Sequence, residues 1–283
     1  MQDYTITGEQ LRAFGQRLAW EEKSPGTIEK YLRDAAAFTA WLDGRAASKE
    51  AAGAWKAALL EAKLAPATIN VKLAALNRFF VFLGWPAFRV KPLRIQRQLF
   101  RDDSRELTRP EYLRLLETAR TQGRERLALL LETICGTGIR VSEVRYVTVE
   151  AVHRGRAEIS LKGKIRTILL PGKLCRKLLK YARKQKIASG EIFLTRNEKS
   201  ISRRQIWSEM KALCDKAGVA PSKVFPHNLR HLFARTYYAM ERDLSRLADI
   251  LGQSSVNTTR IYTVENGAVH ARQVERMGLI LTT

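Results

Sequence analysis

Apolar residues in the first ninety positions recur at the three- and four-residue spacing of amphipathic helices, in four successive stretches. Proline or glycine separates the stretches, and Gly84 followed by Pro86 ends the last one. The stripe positions are Leu11, Phe14 and Leu18; Ile28, Tyr31, Ala35, Phe38 and Leu42; Trp55 and Leu59; and Ile69, Leu73, Leu76, Phe80 and Leu83. Residues 1–91 are therefore predicted to form a small four-helix domain with an aromatic-rich core.

The periodicity disappears over 92–106, where charged residues and a proline predominate, so this segment is predicted to be a linker. At the start of the next part, Thr108 and Glu111 fit a helix capping box. Further on, "RAEISLKGKIRTILLP" alternates apolar and polar residues around Gly163, which predicts two short strands joined by a tight turn. Residues 107–283 are therefore predicted to be an α+β domain, and the whole chain mainly α with one small β-hairpin.

The composition gives the first indication of a partner. Fifty Lys and Arg residues against 28 Asp and Glu residues give a net charge of +22, and most of the excess falls in 107–283. Such an excess is typical of proteins that bind nucleic acid, and a basic protein without a polyanionic partner is the alternative. No apolar run approaches the roughly 18 residues that cross a membrane. The basic residues form no single block and the start resembles no signal peptide, so we expect no membrane partner and a cytoplasmic location.

The stretch "HNLRHLFARTYYAM" holds the densest group of chemically active side chains. On a helix, one face is predicted to be core: Leu229, Leu232, Phe233, Thr236 and Met240. His227, Arg230 and His231 lie together on the opposite face. Zinc proteases use H-E-x-x-H, but Asn228 replaces the glutamate here, and an arginine one turn away would repel a cation. Arginine offers a bidentate fork and histidine can move a proton, so the stretch predicts a phosphate site and no metal. A basic surface helix with incidental histidines is the alternative.

Three other stretches contain residues suited to a phosphate. Arg140 follows a Gly-Thr-Gly break at the predicted start of a helix, where backbone N–H groups add to its charge. Lys162 and Lys164 lie at the predicted hairpin tip, and Tyr262 ends the run "LGQSSVNTTRIYT". Taken singly, each has an ordinary explanation: a structural arginine, a solvated turn, a packed tyrosine. Their combination favours a common site.

The order "TGIRVSEV … KGK … HNLRH … LGQSS … TTRIYT" resembles the tyrosine recombinases of the phage-integrase family, and in particular Xer-like site-specific recombinases. The resemblance covers residues 107–270. The helical segment before it is similar to the core-binding, SAM-like domain of the same family. The resemblance implies a site-specific DNA recombinase or integrase of the kind that mobile elements use. A type IB topoisomerase-like enzyme and a catalytically impaired DNA-binding protein are the alternatives.

The resemblance also implies a role for each matching residue. Tyr262 would be the nucleophile on a DNA phosphodiester, forming a covalent 3′-phosphotyrosyl intermediate. Arg140 and Arg230 would hold the non-bridging oxygens, and Lys162, or alternatively Lys164, would protonate the leaving 5′ oxygen. A free tyrosine is weakly acidic, so cationic neighbours and a base are what this chemistry needs. The covalent link conserves the energy of the broken bond, so neither a metal nor ATP, nor any other cofactor, is expected.

Further matching residues would support this chemistry. His227 would handle the proton of the tyrosine, while Glu143 and His231 would orient the site. The family usually has histidine, or in some members tryptophan, where this chain has Gln253. Glutamine can donate a hydrogen bond to a phosphate but cannot exchange a proton, so proton transfer would depend on the other residues.

The expected partner is double-stranded DNA that contains a specific recombination site. Four outward polar residues are candidate DNA contacts from both domains: Lys30, Lys72, Arg203 and Arg204. The tail 270–283 keeps an apolar patch after the tyrosine, consisting of Met277, Leu279, Ile280 and Leu281. The resemblance implies that this tail docks on a neighbouring protomer and couples the subunits of a tetramer on DNA. Packing of the tail on its own domain is the alternative.

Overall fold

The computed structural model describes residues 4–95, 103–161, 164–253, 255–262 and 275–276. It divides the chain into two compact units, Met1–Arg97 and Gln98–Thr283. Within the described residues no helix combines the length and the apolar character that a membrane span requires.

The first unit consists of four helices, as the apolar pattern predicts. They are α1 (Gly8–Trp20), α2 (Pro25–Leu42), α3 (Lys49–Glu61) and α4 (Pro66–Phe82). Thr7 forms a capping box with Gln10 at the start of α1, and prolines occupy the first turns of α2 and α4. The core contains the predicted stripe residues, with Phe14, Phe38 and Phe80 at most 1% exposed. Burial of these aromatic side chains, together with the other apolar residues of the core, stabilises the bundle.

Two asparagines on α4 hold the chain that follows it. The side chain of Asn77 donates to the carbonyl of Val90 at 2.8 Å and accepts from its N–H at 2.9 Å. Two helical turns earlier, Asn70 makes the same pair of bonds with Leu93, at 2.9 and 2.7 Å. Residues 90–93 therefore pack as part of the first unit, although the loss of periodicity predicts a linker from residue 92.

Lys72 differs from its prediction as an outward DNA contact. Its Nζ lies 3.3 Å from Oδ1 of Asp34, and the Lys72 side chain is only 23% exposed. Asp34 itself is 1% exposed, so the lysine partly neutralises a carboxylate that α2 buries. Helical spacing places Lys72 on the polar side of α4, but it does not reveal that α2 supplies a buried carboxylate beside it.

The second unit consists mainly of helices around a large apolar core, and Ala234, Leu247, Leu251 and Tyr262 form a smaller apolar cluster in the same unit. These are α5 (Arg109–Thr121), α6 (Glu125–Thr137), α7 (Val149–Arg154), α8 (Gly172–Lys184), α9 (Arg203–Lys211), α10 (Cys214–Ala217), α11 (Pro226–Glu241), α12 (Leu244–Leu251) and α13 (Val256–Thr259). Helix α6 is central, since Leu130, Leu131 and Ile134 are fully buried in the core. The predicted capping box of Thr108 and Glu111 is present at the start of α5.

The predicted β-hairpin is confirmed. Strand β1 (Arg156–Leu161) pairs antiparallel with β2 (Lys164–Leu169), from Arg156 opposite Leu169 to Leu161 opposite Lys164. One face of the hairpin is buried through Ile159 and Ile168. Its position matters for the site because β2 also presents Arg166, which is described below.

Candidate active site

Helix α11 carries the central residues of the candidate site, and its packing differs in part from the prediction. Leu229 and Leu232 are buried, but Met240, predicted to be core, is 74% exposed. Arg230, predicted to face away from the core, is only 2% exposed. The apolar period of a helix identifies the face on which it packs, but not whether other elements also cover its polar face. Here the ends of α6 and α12 do so.

Backbone carbonyls hold both terminal nitrogens of the Arg230 guanidinium. Its Nη2 donates to the carbonyl of Leu251 at 2.7 Å and its Nη1 to that of Gly138. These carbonyls lie at the C-terminal ends of α12 and α6, where the helix dipole places partial negative charge. Burial, and then the charge of Arg140, lower the pKa of Arg230 to about 10, while Tyr262 acts in the opposite direction. The arginine therefore keeps its charge at neutral pH without a carboxylate partner in this set.

Arg140 approaches the same cavity from a 3₁₀ turn, Val141–Tyr146, where it is the N-cap residue. Its backbone N–H and its Nη1 both donate to Glu143, each at 2.9 Å. Its Nη2 donates to the carbonyl of Gly252 at 3.1 Å. Because its side chain is still 39% exposed, the guanidinium is oriented but open to a ligand.

Two glycines provide the carbonyls on which the arginines rest. Gly138 and Gly252 both have left-handed backbone conformations, with φ of +63° and +60°. A Cβ at Gly138 would collide with Phe233, and a Cβ at Gly252 would collide with the side chain of Arg166. Both positions therefore require glycine for conformation and for space.

Glu143 is shared between two arginines, and sequence reasoning missed the second one. The carboxylate is 2% exposed and receives Arg166 Nη2 on Oε2 in addition to its bonds from Arg140. Arg166 also donates from Nη1 to the carbonyl of Ile250 at 3.3 Å. Burial alone would raise the pKa of Glu143, but the Arg140 backbone N–H and the charge of Arg166 outweigh it and lower that pKa. The carboxylate is therefore ionised.

Tyr262 lies at the edge of this arrangement. Its side chain is almost buried, at 4% exposure, and its hydroxyl accepts a hydrogen bond from Gln253 Nε2 at 3.4 Å. Thr259, which sequence reasoning did not single out, donates from Oγ1 to Gln253 Oε1 at 2.6 Å. This second bond fixes which end of the amide faces the tyrosine.

The two histidines are arranged in series with Tyr262. The ring of His231 lies 4.4 Å from that of His227 and 4.9 Å from that of Tyr262. Burial first, and the charge of Arg230 among the nearby cations, lower the pKa of each histidine to about 4. Both rings are therefore neutral at pH 7. His231 Nδ1 also lies 3.5 Å from Oε1 of Glu106, a residue that the sequence analysis placed in the linker.

Part of this arrangement lines a cavity of about 1000 Å³. Six of the predicted residues line its walls: Arg140, Arg203, Arg204, His227, Arg230 and Gln253. Within the described residues, no group of three or more His, Cys, Asp or Glu side chains is arranged to hold a metal ion. The wall is cationic and hydrogen-bond donating, so its chemistry suits an anion such as a phosphodiester.

Several predicted residues are not brought into the site by the described part of the chain. Lys162 lies outside the described residues, as does the side chain of Lys164. The apolar patch of the tail also lies outside them. Lys30 is exposed on α2 of the first unit.

Known protein families and relatives match both units of the chain. Residues 105–268 match the model of the phage integrase family, and residues 11–86 match that of the phage integrase N-terminal SAM-like domain. The tyrosine recombinase XerA of Pyrococcus furiosus is 30% identical, over 99% of this chain and 98% of that protein. The tyrosine recombinase XerC of Roseiflexus castenholzii is 30% identical, over 90% of this chain and 88% of that protein.

Solved structures have a similar fold. A λ integrase tetramer bound to a Holliday junction matches with a TM-score of 0.72 at 17% identity, over 92% of this chain and 78% of that one. A pre-cleavage complex of the XerH site-specific recombinase with its difH substrate matches with a TM-score of 0.68 at 19% identity, over 95% and 84% of the two chains.

Proposed function

The chain belongs to the phage integrase family, and from this premise we propose that it is a site-specific DNA recombinase that cuts and rejoins DNA through a covalent 3′-phosphotyrosyl intermediate. The family resemblance predicted from the sequence motifs is thereby confirmed. The observation that carries the proposed chemistry is the convergence of Arg140, Arg230 and Gln253 on one cavity beside the hydroxyl of Tyr262. Those groups match the needs of an attack on a phosphodiester.

In the proposed reaction, the oxygen of Tyr262 attacks the phosphorus while the bond from phosphorus to the 5′ oxygen breaks. Arg140 and Arg230 bind the non-bridging oxygens and stabilise the charge that they gain in the transition state. Both guanidiniums already rest on helix-end carbonyls, so little reorganisation is needed when the phosphate binds. Attack by a 5′ hydroxyl on the phosphotyrosine reverses the step and rejoins a strand, with no metal or ATP.

Proton transfer is assigned to a neutral histidine and to a lysine at the tip of the β-hairpin. His227, with its pKa near 4, is unprotonated at pH 7 and is proposed to take up the proton of Tyr262. The ring of His231 contacts the rings of both His227 and Tyr262 and is proposed to orient them. Lys162, or alternatively Lys164, is proposed to protonate the leaving 5′ oxygen. Gln253 is proposed to donate a hydrogen bond to the phosphate.

The proposed partner is double-stranded DNA with a specific recombination site, in line with the net charge of +22. Lys30, Arg203 and Arg204 are exposed and remain proposed contacts, while Lys72 is engaged by Asp34. We extend to this chain the DNA-bound tetramer of λ integrase, with docking through the tail 270–283. A cytoplasmic location belongs to the same proposal.

The proposed function is tested with Tyr262→Phe on a DNA substrate that carries a nick beside the cleavage position. The nick releases a short fragment after attack, so the wild type should accumulate a covalent adduct, resolved by denaturing electrophoresis. The variant should form none, and its DNA affinity should stay nearly unchanged, because one hydroxyl contributes little to a large charged interface.

Covalent capture by Tyr262→Phe would show that another residue is the nucleophile. Loss of cleavage in EDTA would contradict the metal-free mechanism. Relaxation of supercoiled DNA that lacks any specific site would instead favour the topoisomerase reading.

A further inference from the structure

Arg166 has no role in the proposed chemistry, yet it is one of the more deeply enclosed charges near the cavity. It projects from β2, its side chain is 13% exposed, and it contacts Glu143 and the carbonyl of Ile250. Its Nε is buried and has no hydrogen-bond partner among the described residues. Removing a guanidinium from water costs free energy, so we expect this buried charge to serve a function.

The contacts of Arg166 close a ring of hydrogen bonds behind Arg140. Arg166 binds one carboxylate oxygen of Glu143, and Arg140 Nη1 binds the other. Arg140 Nη2 reaches the carbonyl of Gly252, two residues after the carbonyl of Ile250 that Arg166 binds. The ring joins β2, the 3₁₀ turn and the end of α12. Gly252 has no side chain to obstruct the path of Arg166 through this ring.

The sum of the charges in this ring determines how strongly Arg140 attracts a phosphate. Glu143 is buried and ionised, and by itself it would neutralise Arg140, the partner it holds through two bonds. With Arg166 on the opposite side of the carboxylate, the three side chains sum to +1. That remaining charge lies nearest to the open end of the ring, where Arg140 is partly exposed to the cavity.

We propose that Arg166 is a positioning residue that neutralises Glu143, so that Arg140 keeps its orientation without losing its charge to the carboxylate. This inference rests on the proposed function, because it assigns a source for the charge that stabilises the transferring phosphate. Arg166 itself touches no reacting atom; it acts through Glu143 and Arg140.

The test measures single-turnover covalent capture on the nicked substrate for wild type, Arg166→Gln and Arg166→Lys. The glutamine variant should be slower by roughly 10- to 100-fold, the effect expected when one hydrogen bond to a charged group is lost. The lysine variant, which keeps the charge, should recover much of the rate. A second substrate carries a methylphosphonate at the cleaved linkage, which removes the negative charge of one non-bridging oxygen. On that substrate the capture rates of wild type and Arg166→Gln should be nearly equal, because the methylphosphonate brings little negative charge for Arg140 to neutralise.

Comparing two substrates within one protein preparation removes any effect of partial unfolding, since the folded fraction is common to both. Equal slowing on phosphodiester and methylphosphonate would overturn the charge-balance role and leave Arg166 as a packing residue. So would a glutamine variant as fast as wild type. If the wild type captures neither substrate, the proposed function itself fails and this inference fails with it.

The double variant Glu143→Gln with Arg166→Gln provides an independent check with a predicted sign. When Glu143 and Arg166 both become neutral, no carboxylate neutralises Arg140, so its full charge can act on a phosphate in the cavity. The double variant should therefore cleave faster than Arg166→Gln alone. A double variant as slow as Arg166→Gln, or slower, would contradict the proposal.

Discussion

Replacing Gln253 with alanine tests the position at which this chain departs from its family. In the structure, Thr259 holds Gln253 Oε1 at 2.6 Å, so the amide nitrogen is directed to the hydroxyl of Tyr262 at 3.4 Å. The same nitrogen borders the cavity in which the phosphate is proposed to bind. Alanine removes the donor and leaves the surrounding backbone intact.

The expected loss follows from the kind of hydrogen bond removed. A bond to a neutral group contributes about 0.5–1.5 kcal/mol and one to a charged group about 1.5–3 kcal/mol. If Gln253 donates to a charged oxygen in the transition state, the variant should lose roughly 1–3 kcal/mol, or about 5- to 150-fold in rate. Alanine also leaves the fully buried Thr259 without its acceptor, which should lower the free energy of unfolding by about 1–3 kcal/mol.

The rate is measured as single-turnover covalent capture on the nicked substrate, and the stability by urea unfolding. Thr259→Val is the matched control, because it keeps the glutamine and removes only the bond that orients its amide. It should lose part of the rate. In the double variant the two losses should not add, because Thr259 acts through Gln253.

Gln253→His extends the test to proton transfer. The histidine variant should keep or modestly raise the activity, and its pH profile should show one titrating group that is missing from the wild type. If Gln253→Ala cleaves as fast as wild type, the glutamine takes no part in the reaction and the reasoning from its contacts is wrong.

The remaining predictions concern charge. DNA affinity should fall roughly 10³- to 10⁵-fold between 50 and 200 mM salt if about 6–10 phosphates are neutralised; a flat response in fluorescence anisotropy would contradict DNA-backbone binding. Because the pKa of His231 falls to about 4 on folding, its contribution to stability is intact above pH 6.5. That contribution should be lost as pH falls towards 4, since the unfolded chain takes up the proton first. Urea titrations should therefore show wild type losing up to about 3 kcal/mol more than His231→Asn over this range. Lys72→Gln should destabilise the first unit by about 1–3 kcal/mol, because it removes the nearer of two cations from the buried carboxylate of Asp34 and leaves the more exposed Arg33 at 3.7 Å. Lys30→Gln, a change at an exposed position, should leave the melting temperature unchanged.

The elements were predictable because their signals are local. Phe14, Phe38 and Phe80 repeat at helical spacing, and they fill the core of the first unit as predicted. The hairpin was found from alternation around Gly163, and the start of α5 from its capping box. In the site, Arg140, His227, Arg230, Gln253 and Tyr262 were identified by their order along the chain, and the structure brings them together.

What the sequence missed depends on contacts between distant segments. Arg166 occupies an ordinary position in an alternating strand, and its partners, Glu143 and Ile250, lie 23 and 84 residues away. Glu106 appeared to be part of a charged linker, whereas it reaches His231 on α11. Helical periodicity also gave no indication that Arg230 would be covered on its polar side. Gly252 after α12 predicts only a helix C-cap, so the sequence does not indicate that Arg166 fills the space beside it.

Gly138 and Gly252 also give a criterion for recognising inactive copies of this gene. A copy that kept every arginine, histidine and tyrosine but had alanine at either glycine would pass a search based on reactive residues. Its helix ends would nevertheless be displaced, and the arginines would lose their carbonyl supports. A change at Gln253 would leave both supports intact. Among paralogues, these two uncharged positions should therefore separate working genes from degenerate ones more sharply than the residue at 253.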